Sequence, residues 1–243
     1  MSEIINGVGR VGWRNYTPIS SIISNGLILN LDASNTSSYA GTGTTWTDLS
    51  GNGNHGTLIN GPAYSTTNGG SFAFDGINDY VETNYIQPSN ANLTYGIWGK
   101  LATSRQADGY GGRIMGNADY FNGYTGIDII WGSLGKNTIH SVRRGGPNGD
   151  MAAYGITNLS INWHYLVVTY NATTGSKLYC DGIQVASNGN IGFTATLSLK
   201  IGNDGNGPAF FIGNIGAAHV YDRALSATEV ATNFNTSKTR YGL

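Results

Sequence analysis

Oxygen-bearing side chains recur at alternate positions through Asp48-Leu49-Ser50-Gly51-Asn52-Gly53-Asn54, in a stretch rich in glycine. A hard cation such as calcium takes about six to eight oxygens from carboxylates, amides and carbonyls. Asp48 and Asn52, joined by Asp32 from a neighbouring strand end, are therefore a candidate calcium set. The same side chains equally suit Asx turns, in which they bond their own backbone. A second candidate is aromatic. Trp131, with Tyr120 and Tyr124 close by in sequence, is placed to form an exposed platform, since the apolar face of a sugar stacks on such rings. Packing in the core or at its rim is the competing use of each ring.

Other chemistry is poorly supplied. Gly7-Val8-Gly9-Arg10-Val11-Gly12 matches a dinucleotide fingerprint, but that motif must open a helix whose N-terminus holds the pyrophosphate. Here Trp13-Arg14-Asn15-Tyr16-Thr17-Pro18 follows, with no apolar period and an early proline. The four histidines, His55, His140, His164 and His219, show no metal-ligand spacing. His164 and His219 fall within strand patterns and read as hydrogen-bonded structural residues.

The elements that would position these groups are almost all strands. Charged residues make up only 11% of the 243, the formal net charge is −1, and Gly occurs 37 times. That is turn and strand chemistry, with no basic stripe for nucleic acid. No apolar run is long enough to cross a bilayer. The start, Met1-Ser2-Glu3-Ile4-Ile5, lacks the marks of a secretory signal, so the expectation is a chain made in the cytoplasm. One cysteine, Cys180, leaves no intramolecular disulfide.

The clearest strands are Trp163–Tyr170 and Ser176–Val185. Alternation puts Trp163, Tyr165, Val167 and Thr169 on one face and His164, Leu166, Val168 and Tyr170 on the other. Asp181-Gly182 supplies the positive-φ pair of a two-residue hairpin. A second hairpin is expected around Gly76-Ile77-Asn78-Asp79, between Ser71–Asp75 and Tyr80–Thr83. Further strands are expected at 27–31, 92–101, 111–117, 124–131, 137–143, 150–155, 197–202, 209–213 and 214–221. Ser226-Ala227-Thr228-Glu229 is a capping box that opens one short helix reaching about Phe234. Residues 1–25 lack this patterning and read as an N-terminal arm, with one domain over 26–243.

Four segments in order carry a resemblance: Asp48–Leu58, the Ser71-Phe72-Ala73-Phe74-Asp75-Gly76…Asp79-Tyr80-Val81 stretch, the Trp163 and Asp181-Gly182 hairpin, and Ile201 through Val230. Together they resemble laminin-G-like domains of the concanavalin A-like jelly rolls. The resemblance implies an all-β fold, a two-sheet antiparallel jelly-roll β-sandwich with one short C-terminal helix. Strands 27–31 and 214–221 would then lie side by side, and one structural calcium is common. Such domains bind glycans or proteins or decorate larger assemblies. Glucanases of this fold carry a Glu-x-Asp-x-Glu strand, whereas this chain has three isolated glutamates, Glu3, Glu82 and Glu229. The expectation is therefore not an enzyme, and a glycoside hydrolase is the weaker alternative.

Ile4-Ile5-Asn6-Gly7-Val8-Gly9-Arg10-Val11-Gly12-Trp13-Arg14 resembles the leader of structural proteins of tailed bacteriophages, and Leu29–Asp79 resembles the virion version of the domain. These imply a virion protein whose arm docks on other capsid or tail proteins. Its sandwich would bind a host surface glycan, with homo-oligomerisation left open. A carbohydrate-binding module of a cellular glycan-processing system is the alternative.

Overall fold

The computed structural model describes residues 21–89, 91–102, 112–117, 127–133, 138–146, 149–154, 159–189, 197–203 and 209–243. In chain order the strands are β1 (Leu27–Asp32), β2 (Thr45–Trp46), β3 (Gly56–Ile59), β4 (Ala63–Ser65), β5 (Ser71–Asp75), β6 (Tyr80–Ile86), β7 (Leu93–Leu101) and β8 (Gly112–Gly116). They continue as β9 (Ile127–Ser133), β10 (Thr138–Gly146), β11 (Gly149–Tyr154), β12 (Trp163–Asn171), β13 (Gly175–Cys180), β14 (Ile183–Asn188), β15 (Ser198–Ile201) and β16 (Ile212–Tyr221). Helix α1 (Ala227–Ser237) runs into a 3₁₀ turn at Lys238–Tyr241.

The strands form two antiparallel sheets. One has the order β14-β13-β12-β7-β16-β5-β4, with β1 also on β16, and the other β11-β10-β9-β8-β15-β6-β3-β2. The expected jelly-roll sandwich is present, with β1 beside β16 in the register Leu29 to Val220 and Leu31 to Ala218. Strand β16 is continuous where two strands were expected, and a bulge between Ile215 and Ala217 lets it serve β5 at one end and β1 at the other.

The turn at Gly76–Asp79 corrects a second expectation. It is no hairpin: β5 pairs β16 and β4 in one sheet, whereas β6 pairs β3 and β15 in the other. Phe72, Phe74 and Val81 are all buried in one core, so the chain must cross between layers here to keep both strands facing inward. Asp75 and Asp79 fix the crossing. Asp75 Oδ1 accepts from the N–H of Ile77, and Asp79 Oδ2 from that of Asp75.

Strand alternation creates two apolar cores. Leu29, Leu31, Trp46, Ile97, Leu166 and Val168 pack between the sheets. Trp98, Trp163, Tyr165, Val167, Tyr221 and Val230 form a second cluster on the outer face of the first sheet, beneath α1. The two faces read from β12 thus both bury, one under the opposite sheet and one under the helix. The capping box holds that helix in place. Ser226 Oγ accepts from the N–H of Glu229, and the Glu229 carboxylate accepts from the N–H of Ser226.

Candidate functional site

A cavity of about 400 Å³ lies between the outer face of β1 and β16 and the C-terminal segment. Alternation explains its polarity. Leu29 and Leu31 point into the core, so Asn30 and Asp32 point outward, beside Ala217 and His219 of β16. Helix α1 covers the aromatic rows of β7 and β12, and over the polar outward row of β1 a pocket remains. Its walls carry Ser34, Asn35, Thr236 and Thr239, and Trp98 and Tyr241 reach its floor. Those two rings stack at 4.1 Å and are buried, so they offer edges to the cavity and no open ring face.

Two charges face this space. Arg240 Nη1 donates to Asp32 Oδ1 at 2.6 Å, joining residues 208 positions apart in the chain. Its Nε donates to the Asn68 carbonyl, and its Nη2 to the carbonyls of Gly70 and Gly216. Four of five N–H groups are therefore engaged, and the guanidinium lies over the Tyr241 ring at 4.7 Å. Asp32 Oδ1 also accepts from the Ser34 N–H and hydroxyl. Burial pushes the Asp32 carboxyl up, but the Arg240 charge and these hydrogen bonds outweigh it and hold the carboxyl below its usual range. His219 is buried, and desolvation pushes its pKa down to about 4, with Asp32 opposing and Arg240 adding to the shift. It is a neutral ring, whose Nδ1 lies 3.4 Å from the Tyr165 hydroxyl.

Asp32, Asp48 and Asn52, the expected calcium set, are each engaged in hydrogen bonds within the protein. Asp32 is turned to Arg240 and Ser34. Asp48 Oδ1 accepts from the N–H groups of Asn30 and Ser50, and Oδ2 from Ser50 Oγ and the Asn54 N–H. Asn52 spends its amide on Ser50 Oγ and the Leu27 carbonyl. Donor protons thus point at both oxygens of Asp48, which closes that carboxylate to a cation, while Asp32 Oδ2 and Asn52 Oδ1 accept none of these bonds. The loop is the turn-forming alternative, and it pins β1 by way of Asn54 Nδ2 on the Ile28 carbonyl at 2.7 Å.

Trp131 is also corrected. Its ring is fully buried and packs against Phe211 and His164. The alternation Ile127, Ile129, Trp131 in β9 puts all three into the inter-sheet core, a signal available in the sequence. Tyr120 and Tyr124 lie outside the described residues, as do the Gly7–Gly12 motif and residues 1–20 of the expected arm. Ile23, at the arm's described end, packs on the outer cluster, and its N–H donates to Asn233 Oδ1.

His164 is hydrogen-bonded within the fold, as expected, and its ring lies with Cys180 and Asp181 in one cluster of ligand atoms within 4.8 Å of one another. It bonds Asp181 Oδ2 through Nδ1 at 2.7 Å and Ser160 Oγ through Nε2 at 2.9 Å. The other Asp181 oxygen accepts from the Tyr165 N–H. Asp181 at φ 51° and Gly182 at φ 81° form the expected tight turn, so this carboxylate straps the turn to β12. Cys180 lies beside them, and burial pushes its thiol up, which keeps it a neutral thiol. Arg240, Asn30, Trp98 and Tyr241 were missed as site residues, because nothing in local spacing brings the chain's end to β1.

The comparisons agree with this architecture. No curated protein matches the chain. Among solved structures it is similar to domain 4 of AbnA, an extracellular arabinanase from Geobacillus stearothermophilus, in complex with arabinotriose. There the identity is 19% and the TM-score 0.64, covering 87% of this chain and 98% of that one. It is also similar to the binding domain of Paraclostridial Mosquitocidal Protein 1, with 16% identity, TM-score 0.67, and 88% and 52% coverage. A third is the ligand binding domain of botulinum neurotoxin serotype D in complex with N-acetylneuraminic acid, at 15% identity, TM-score 0.67, and 88% and 51% coverage. The chain spans about half the length of these toxin domains. The model of the concanavalin A-like lectin/glucanases superfamily matches residues 74–231, well over half of the sequence, and with the two-sheet jelly roll on which the cavity is built, the chain belongs to that superfamily.

Proposed function

We propose that this chain is a non-catalytic glycan-binding jelly roll carried on a tailed-bacteriophage particle as a capsid decoration, tail or fibre component. The observation that carries glycan binding is the polar cavity over β1 and β16, with its carboxylate, amides, hydroxyls and apolar floor. Its size falls within the range of small-ligand sites. The absence of catalysis is supported by the glutamates. Glycoside hydrolysis needs two carboxylates about 5 to 9.5 Å apart across the scissile bond. Glu229 is held by Arg223 and the helix cap, and Glu82 by Lys200 and Ser198. Glu3 lies outside the described residues.

The virion setting is supported by the resemblance of Ile4–Arg14 and Leu29–Asp79 to phage structural proteins. In this reading residues 1–25 dock on capsid or tail proteins, and many copies raise a weak host-glycan affinity by avidity. The likeness to the arabinanase domain, nearly all of which is covered, favours one other reading, a carbohydrate-binding module of a cellular glycan-processing system.

The test is calorimetric titration of the purified protein against bacterial surface polysaccharides and plant glycans, with calcium and with a chelator, followed by chromatography of the glycans. Binding without cleavage, unchanged by chelation, is expected. Cleavage products would overturn the non-catalytic reading, and no binding at millimolar ligand would overturn the glycan-binding one. Incorporation into particles of a chain lacking residues 1–25 at the full-length level would overturn the arm's role.

A further inference from the structure

We infer that the cavity takes neutral, hydroxyl-rich sugars and turns away carboxylated ones, with Asp32 Oδ2 as the recognising acceptor. This rests on reading the cavity as a glycan site, and it runs against the analogy with a neighbour whose ligand is N-acetylneuraminic acid.

The two charges in the cavity are unequal in what they leave open. Arg240 would be the natural partner of a sugar carboxylate, because its fork matches that group bidentately. Here one N–H goes to Asp32 and three go to the carbonyls of Asn68, Gly70 and Gly216. A single N–H remains, so no fork is left for a ligand. One of its two faces is covered as well, by the Tyr241 ring.

Asp32 is the reverse case. All three of its hydrogen bonds fall on Oδ1, and Oδ2 accepts none from the described residues. The side chain is 30% exposed at the cavity wall. The open charged atom is therefore an acceptor with negative charge. It attracts hydroxyl donors and repels an incoming carboxylate.

The rest of the lining agrees. His219 is neutral and brings no cation. Ser34 and Thr236 spend their hydroxyl protons on Asp32 Oδ1 and the Thr232 carbonyl and so face the cavity as acceptors, while the Asn35 amide and the Thr239 hydroxyl can donate, a mixture that suits neighbouring sugar hydroxyls.

The experiment uses the full chain and matched pairs of ligands, the methyl glycoside of a hexose against the corresponding uronate, with sialyllactose added. Titration is followed by tryptophan fluorescence, since Trp98 lines the cavity. Two variants accompany the wild type: Asp32→Asn, and Thr239→Lys, which adds a cation at an exposed rim position and does not touch the fold.

The neutral member should bind at least about 10-fold more tightly than its uronate. Asp32→Asn should weaken the neutral sugar about 10- to 100-fold, the scale of a hydrogen bond to a charged group. Thr239→Lys should narrow the gap by improving the uronate. If the uronate or sialyllactose binds as well as the neutral sugar, the inference fails while the cavity remains a glycan site. Neutral binding that Asp32→Asn leaves intact also refutes it, by placing the ligand elsewhere. If neither class binds, both the inference and the reading beneath it fall.

Discussion

Arg240 is the residue on which the C-terminal segment hangs, and Arg240→Leu tests that. The guanidinium ties three separated pieces together: Asp32 at the end of β1, the Asn68 and Gly70 carbonyls, and the Gly216 carbonyl at the bulge of β16. The Arg240 and Asp32 side chains are 18% and 30% exposed, so the pair is partly screened. A hydrogen bond to a charged group contributes about 1.5–3 kcal/mol, and breaking a fully buried pair costs about 3–5 kcal/mol. Discounted for exposure, the loss here is about 3 kcal/mol. For a domain of this size that lowers the Tm by about 6–12 °C. The assay is urea denaturation and a thermal scan of wild type, Arg240→Leu, Asp32→Asn and the double variant. Asp32→Asn alone should cost less, because Arg240 keeps its three carbonyls. The double variant should fall short of the sum by about 1–2 kcal/mol. The sign of the pH dependence is also fixed. The folded pKa of Asp32 lies below its ordinary value of 3.8, so the stabilisation is full above that value and is lost as pH falls through the lowered one. The gap between wild type and Arg240→Leu should hold steady from neutral pH down to about 5 and close only in stronger acid. A Tm loss under about 2 °C, or strict additivity, would refute the role of Arg240 as a strut.

Two more outcomes follow from the same region. At Gly216 an added Cβ would lie 2.5 Å from the Tyr241 hydroxyl, and that ring is held against Trp98 and Trp163. Gly216→Ala should therefore cost about 1–3 kcal/mol by overpacking and weaken the near-UV circular dichroism of the aromatic cluster; an unchanged spectrum and midpoint would contradict this. His219 is buried neutral with a folded pKa of about 4 against an ordinary 6.5. Its contribution is full above 6.5 and lost as pH falls toward 4, about 3 kcal/mol in all at 1.36 kcal/mol per unit. His219→Gln should flatten the stability profile over that window, and an equal slope in wild type and variant would count against it.

Much of the architecture was legible in the chain. Period-two alternation gave both faces of β12, Asp181-Gly182 its turn, and the Ser226–Glu229 box the start of α1, because each is set by neighbours a few residues apart. Two misreadings have one cause. Gly76–Asp79 has the sequence of a hairpin, and only the burial of Phe74 and Val81 from opposite layers makes it a crossing between sheets. Trp131 has the chemistry of a platform, and only its place beside Ile127 and Ile129 on the inner face buries it.

The sequence by itself determined the all-β class, most of the strands, the helix and the family, since local periodicity and turn stereochemistry encode them. Tertiary structure alone decided the site. Asp48 has the look of a metal ligand until its four donors are located, and Asp32 meets Arg240 only because the fold brings it in from 208 positions away. Which acceptor stays open depends on where every nearby donor goes, and those donors come from strands, a loop and a C-terminal turn that meet only when the sandwich closes.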